Sequence, residues 1–234
     1  LREIQGSVKV APEDLVGLPD DYIAAHPPGG DGLVTITTDY PDIFPVFTYS
    51  PNEALRKELR GASLNRAYPE NVDALRGLLE KRYDLATTLG YKNWAAYVTE
   101  DKMTGSPQVA EDFLKEVEGA ARNSADVEYD RLLAKQQEID PDATSVSDWS
   151  ASYLSELIRQ SDYNLDSQEV RKYFAFTDVR AGIFELVQDL FDVQIEPWEN
   201  APVWADDVTA HEMYKDGKLV GRFFLDMHPR DGKF

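Results

Sequence analysis

Val208-Thr209-Ala210-His211-Glu212-Met213-Tyr214-Lys215-Asp216-Gly217-Lys218-Leu219-Val220-Gly221-Arg222-Phe223-Phe224-Leu225-Asp226-Met227 reads as two strands joined at Asp216-Gly217. A two-residue Asp-Gly turn favours the type I′ hairpin, because both central residues need positive φ. That turn pairs Tyr214 with Leu219, Glu212 with Gly221, Ala210 with Phe223 and Val208 with Leu225, which makes one face mostly apolar. The opposite face sets His211 across from Arg222 and Thr209 across from Phe224, half-open to water. The chain then runs through His228-Pro229-Arg230-Asp231-Gly232-Lys233-Phe234. Almost everything before this hairpin reads as helix, so the expected fold class is mainly α with a late β-hairpin at its edge.

Moving towards the N-terminus, Glu196 to Asp207 carries Pro197, Pro202, Trp198 and Trp204 and reads as an aromatic-rich connector. Val179, Ile183, Leu186, Val187 and Leu190 form a helical apolar face, capped by Thr177 or Asp178. Asp166-Ser167-Gln168-Glu169 is a capping box that starts a short helix to Phe174. A further helix covers about Asp148 to Gln160. Ser106-Pro107 opens the longest helical pattern, which reaches Ile139 and spans roughly 50 Å at 1.5 Å per residue.

Pro69 to Leu89 is predicted as a helix closed by Gly90, and Asn93 to Met103 as a shorter one closed by Gly105. Ser50-Pro51-Asn52-Glu53 is a helix start with Ser50 as the cap. Leu33-Val34-Thr35-Ile36-Thr37-Thr38 is β-branched and reads as a strand, with Val46-Phe47-Thr48-Tyr49 returning as its partner. A short strand pair is therefore expected near residues 33–49. Residues 11–26 read as a short helix broken at Gly17-Leu18-Pro19. The domain expectation is one helical fragment over 1–234: a strand-containing segment at 33–49, helices at 50–193 and the hairpin at 208–227.

The 234 residues suffice for a substantial core, and 42% hydrophobic with 29% charged residues is ordinary globular composition. A formal charge of −19 repels phosphate backbones, so nucleic acid is not an expected partner. No apolar run approaches the ~18 residues that a membrane span needs. The absence of cysteine excludes disulfides and thiolate metal sites. The start at Leu1-Arg2-Glu3-Ile4 has no initiator Met and no signal-peptide pattern, which reads as a processed or excised piece.

Chemistry is harder to find. The three histidines are His26, His211 and His228. His211-Glu212 resembles the start of a zinc helix, but Lys215 stands where the second histidine is required, and the segment reads as strand. The expectation is an exposed strand histidine. The 43 carboxylates are too many to single out a catalytic pair, and no G-x-S-x-G elbow is present. No catalytic or metal-binding residue is assigned from the residues themselves.

Two runs carry a resemblance. Ala86-Thr-Thr-Leu-Gly-Tyr-Lys-Asn-Trp-Ala-Ala-Tyr-Val-Thr-Glu-Asp-Lys-Met-Thr-Gly-Ser-Pro107 and Gly217-Lys-Leu-Val-Gly-Arg-Phe-Phe-Leu-Asp-Met-His-Pro-Arg-Asp-Gly-Lys-Phe234 are similar to runs of one family. This is the zinc oligopeptidase family of thimet oligopeptidase, neurolysin, oligopeptidase A and the bacterial peptidyl-dipeptidases. One departure is the order Asp148-Trp149 then Tyr153-Leu154, where the family often has Trp-Asp and then paired tyrosines.

The resemblance implies part of a two-lobed, mostly helical peptidase whose channel admits short peptides. Its H-E-x-x-H zinc helix would follow the segment matching His228 to Phe234. Zinc is the cofactor implied for the full-length protein, and none is expected here. His228, Arg230 and Lys233 match motif positions and are expected to shape the turn beside the active-site sheet. The implied function is the non-catalytic portion of a zinc metallopeptidase. The alternatives are a naturally truncated helical module that binds peptides or proteins without cutting them, and a hydrolase with an unrecognised carboxylate site. A cytoplasmic setting is expected, with the periplasm as the alternative. An edge-strand homodimer through Leu219 to Met227 is expected of the piece alone.

Overall fold

The computed structural model describes residues 4–228, Arg230 and Lys233. The chain divides into two compact units, Leu1–Asn164 and Leu165–Phe234. No described helix is long and apolar enough to cross a membrane.

The first unit is built on a two-stranded antiparallel sheet. Strand β1 (Ser7–Val10) pairs with β2 (Val34–Thr37), with Val8 opposite Ile36 and Val10 opposite Val34. Period-two alternation sends these four side chains into the core while Ser7, Lys9 and Thr35 face water. The strand at 34–37 is as expected, but its partner is not. Residues 46–49 belong to helix α2 (Tyr40–Tyr49). Ile43, Val46 and Phe47 are buried at three- and four-residue spacing, and that helical stripe overrides the β-branched look of Val46-Phe47-Thr48. The true partner, Ser-Val-Lys-Val, is only four residues long and lies outside the region where a pair was expected.

Between the strands lie a 3-10 turn (Pro12–Leu15) and α1 (Asp20–Ala25), with Gly17 at the break. Gly17 has φ +89°, and a Cβ built there meets Pro51 Cδ at 2.8 Å. Gly17→Ala combines left-handed strain with that overlap. It should destabilise the first unit by about 1–3 kcal/mol in a urea titration.

Helix α3 (Glu53–Leu64) is capped by Asn52, whose side chain accepts a hydrogen bond from the Leu55 amide at 3.1 Å. Ser50, the expected cap, is instead buried at the end of α2 and accepts from the Asn52 amide at 3.2 Å. Leu55 and Leu59 reach the sheet and complete the core with Leu15, Leu18, Tyr22, Ile43, Val46 and Phe47.

Four more helices follow. They are α4 (Asn71–Thr88), α5 (Trp94–Thr99), α6 (Pro107–Ile139) and α7 (Ala151–Tyr163). Gly90 ends α4 at φ +88°, as expected of a left-handed cap. Asn93 caps α5 and Ser106 caps α6, accepting from Ala96 N at 2.9 Å and Val109 N at 3.3 Å. Helix α5 stops at Thr99 rather than Met103, and α7 begins three residues later than expected. Val72, Leu75 and Leu79 on α4 are exposed, as are Val109, Phe113 and Val117 on α6.

Arg56 ties α3 to the start of α7. It is 3% exposed and donates to Ser50 O at 2.5 Å, Trp149 O at 3.1 Å and Ser150 Oγ at 3.2 Å. Its guanidinium also lies 4.4 Å from the centre of the Tyr153 ring.

The second unit contains α8 (Ser167–Arg171), α9 (Phe176–Phe191) and a three-stranded antiparallel sheet. Asp166 caps α8, accepting from Gln168 N at 2.8 Å. Ala175 stands at the start of α9, two or three residues ahead of the expected Thr177 or Asp178. The sheet has the order β3 (Gln194–Pro197), β4 (Thr209–Lys215), β5 (Lys218–Leu225). Strand β3 occupies the beginning of the expected connector. The Ile195 amide donates to Gln188 Oε1 at 2.8 Å, which fixes this strand to α9.

The hairpin turn is as predicted, with Asp216 and Gly217 both at positive φ and Tyr214 opposite Leu219. Beyond that pair the register differs. Met213 faces Gly221, so Val220 is an extra residue on β5, and every later pair moves by one. His211 therefore faces Phe223, Glu212 faces Arg222 and Ala210 faces Phe224. A single-residue slip exchanges the two faces of a strand, which is why the expected face assignment fails.

Candidate functional site

The three motif residues expected beside the sheet, His228, Arg230 and Lys233, all lie just past the end of β5. Two of them converge on Asp226. Arg230 holds both of its carboxylate oxygens, through Nη1 and Nη2, at 2.6 Å each. Lys233 Nζ lies 2.8 Å from Asp226 Oδ1 and also donates to the carbonyls of Asp226 at 2.6 Å and His228 at 2.7 Å. Trp204 Nε1 donates to Asp226 Oδ2 at 3.1 Å. Asp207 stands 3.5 Å from Arg230 Nη1. His228 contributes its backbone carbonyl, while its ring meets Phe176 edge-on at 5.3 Å.

Four donors on one carboxylate favour its charged form. The hydrogen bonds from Arg230 and then Lys233 hold Asp226 far below the usual carboxylate range, and the same contact raises Arg230. A carboxylate so stabilised is a poor proton acceptor at neutral pH. The arrangement ties Arg230 and Lys233 to the residue that follows β5. Asp226 was not singled out from the sequence, although it sits in the middle of the motif run. Its signal was the pair of cations four and seven residues downstream.

The sequence model of peptidase family M3 matches residues 46–234. The chain belongs to peptidase family M3. Oligopeptidase A of Escherichia coli (strain K12) is 30% identical over 234 residues, covering 94% of this chain. Organellar oligopeptidase A of Arabidopsis thaliana is 34% identical over 208 residues, covering 86% of this chain and 26% of that protein. Saccharolysin of Saccharomyces cerevisiae is 28% identical over 241 residues, covering 95% of this chain and 34% of that protein. The chain spans about a third of the length of the curated relatives it matches, 34% for the E. coli protein.

The remaining histidines of this M3 chain are held by local partners. His26 stacks on Tyr22 at 4.1 Å, with Nδ1 2.8 Å from Tyr22 O and Nε2 3.3 Å from Asp42 Oδ1. His211 is buried, not exposed as the hairpin pattern suggested. The Val220 bulge turns it onto Phe223, stacked at 5.2 Å, and Phe184 meets it edge-on at 4.9 Å. Its Nε2 lies 3.1 Å from Thr209 Oγ1. Among the described residues, no group of three or more His, Cys, Asp or Glu could hold a metal ion.

Burial, and secondarily the charge of Arg180, lower the pKa of His211. The unfolded chain thus binds a proton at this residue more readily than the folded one. The stability of the second unit should stay level above the ordinary histidine pKa of about 6.5 and decline as pH falls through it. Denaturant titrations between pH 7.5 and 5 check this. His211→Gln should remove that part of the pH dependence, measured against the parent chain over the same range.

On the neighbouring face, Arg222 forms an ion pair with Glu212 at 2.8 Å and covers the Trp198 ring at 4.4 Å. Tyr214 donates to the same Glu212 at 2.6 Å. Glu212 is therefore fully engaged, and its pKa is lowered, first by the Tyr214 hydroxyl and then by Arg222.

Proposed function

We propose that this chain is the non-catalytic portion of a longer zinc metallopeptidase that hydrolyses short peptides. The observation that carries the proposal is the M3 match over residues 46–234, combined with a span of only 34% of the E. coli oligopeptidase A. The relatives are oligopeptidases by name, and peptide hydrolysis comes to this protein through them.

Zinc belongs to the longer protein in this account. The described residues do not fit it: His211 is enclosed by two phenylalanines and a threonine, His228 rests on Phe176, and His26 is engaged with Tyr22 and Asp42. No catalytic step is assigned to them.

In the same proposal, His228, Arg230 and Lys233 shape the wall of the site rather than grip substrate. Asp226 supports this, because it already occupies Arg230 and Lys233. For the chain alone, an edge-strand dimer through residues 219–227 is also proposed, since β5 is an outer strand of its sheet. Light scattering should show dimers at high concentration, and a strict monomer contradicts this part.

The experiment for the main proposal is to read the coding sequence past Phe234. An H-E-x-x-H helix within the next few dozen codons is expected. A stop codon there overturns the proposal and leaves a truncated binding module as the function.

A further inference from the structure

Strand β5 turns Phe223 towards α9, where Phe184 meets it edge-on at 6.0 Å. Period-two alternation sends Arg222 and Phe224, and after them Asp226, to the opposite face. The connector between β3 and β4, residues 198–208, covers that face with two indoles. Trp198 lies between Arg222, 4.4 Å over its ring, and Phe224, 5.5 Å away. Trp204 lies between Phe224, 5.1 Å away, and Asp226, to which its Nε1 donates at 3.1 Å. Side chains of the connector and of β5 thus alternate in one row.

The end of that row closes on itself. Asp226 holds Arg230 through both Nη1 and Nη2 at 2.6 Å, and Arg230 Nη1 stands 3.5 Å from Asp207. Trp204 and Asp207 belong to the same connector, three residues apart, so two of its polar side chains end on one carboxylate–guanidinium pair. Among the described residues, 199–207 makes no backbone hydrogen bond to β5. Trp204 is 58% exposed, so water competes for its N–H. An element held to its neighbour by side-chain contacts and open to water belongs to the low-stability end of a fold.

We propose that residues 198–208 form a strap that opens and closes over β5, with Trp204 as its clasp. When Trp204 leaves Asp226, the carboxylate loses the donor that fixes its plane. Asp207 moves with the strap, and Arg230 loses one of its two carboxylates. Trp204 is thus a positioning residue for Arg230, acting through Asp226. In the longer peptidase proposed above, the strap would set how firmly the wall of the site is held, but the coupling itself is a property of this chain.

The test is tryptic cleavage of the 234-residue chain after Arg230, followed by mass spectrometry, because trypsin must take the arginine side chain into its pocket. Cleavage tracks the population of the open form when closing is fast. Trp204→Phe keeps a ring on Phe224 and removes the indole N–H. It should speed cleavage after Arg230 about tenfold, as a partly exposed hydrogen bond to a charged group requires. Cleavage after Lys218, at the other end of β5, should not change. Asp207→Asn, which weakens the second contact of the strap, should also speed cleavage after Arg230. In an Asp226→Ala background, Trp204→Phe should add less than twofold, since its acceptor is gone. An unchanged rate after Arg230, or an equal factor with and without Asp226, overturns the inference. So does an equal rise after Lys218, which would mean that the whole sheet has loosened. Peptide hydrolysis by the protein is not measured, so failure here leaves the metallopeptidase proposal standing. An inactive longer protein would likewise leave the strap intact.

Discussion

Arg56→Ala should lower the stability of the first unit by about 3–5 kcal/mol, the summed cost of leaving the three acceptors it serves without a donor and of the cavity left by its side chain. The side chain joins polar groups at the end of α2 and the start of α7. It satisfies the carbonyl of Ser50 at the end of α2, and the Trp149 carbonyl and Ser150 hydroxyl at the start of α7. Ser50 and Ser150 are 0% and 1% exposed, so water does not easily replace the guanidinium. The truncation also removes the contact with the Tyr153 ring. Arg56→Lys keeps the charge but not the planar fork that reaches three acceptors, so it should recover less than half of the loss. Chemical denaturation followed by far-UV circular dichroism measures both variants. A change below about 1 kcal/mol for alanine would mean that the junction is held by packing alone.

In the longer peptidase proposed above, Asp226→Ala should act on catalysis. The expected result is a fall in kcat/KM of about 100-fold, the cost of displacing a catalytic framework by roughly 1 Å. Asp226 is a positioning residue in this account. Without its carboxylate, Arg230 loses both of its short hydrogen bonds and Lys233 loses one of three, so the turn after β5 is no longer fixed. Asp226→Glu should restore part of the rate. The pH–rate profile should keep its shape in both variants, because a carboxylate held this far below its usual range does not exchange protons near neutrality. A displaced limb of the profile would instead make Asp226 a participant in the chemistry.

The parts of the fold that were legible in the sequence are those with a local physical signature. Ser106-Pro107 and Asp166 announced their helices because a side-chain oxygen near a free amide is a short-range event. Asp216-Gly217 announced its turn because few residues tolerate positive φ there. The misreadings arose where the deciding partner is distant or the segment is short. Strands β1 and β3 have four residues each, too few for a period to show. Val46 to Tyr49 looked like strand until Ile43 and the rest of the buried stripe are counted with it.

The candidate site was legible in part. His228, Arg230 and Lys233 were singled out by motif position, but Asp226, the carboxylate that holds two of them, was not, since a carboxylate among 43 carries no distinguishing mark. The burial of His211 was missed through a single residue. Val220 bulges next to Gly221, a position where strands often break register, and the bulge reverses which face His211 joins. Val72, Leu75 and Leu79 on α4 and Val109, Phe113 and Val117 on α6 recur at helical spacing, yet these side chains are exposed. Amphipathicity records that a face is to be covered, not what covers it.

The most direct measurement is metal content and peptide cleavage on two proteins prepared side by side: this 234-residue chain, and the same chain extended by the coding sequence that follows Phe234. The account predicts one tightly bound zinc per molecule and hydrolysis of short peptides in the extended protein, and neither in the chain alone. Stoichiometric zinc with peptide cleavage by the 234 residues themselves would contradict it.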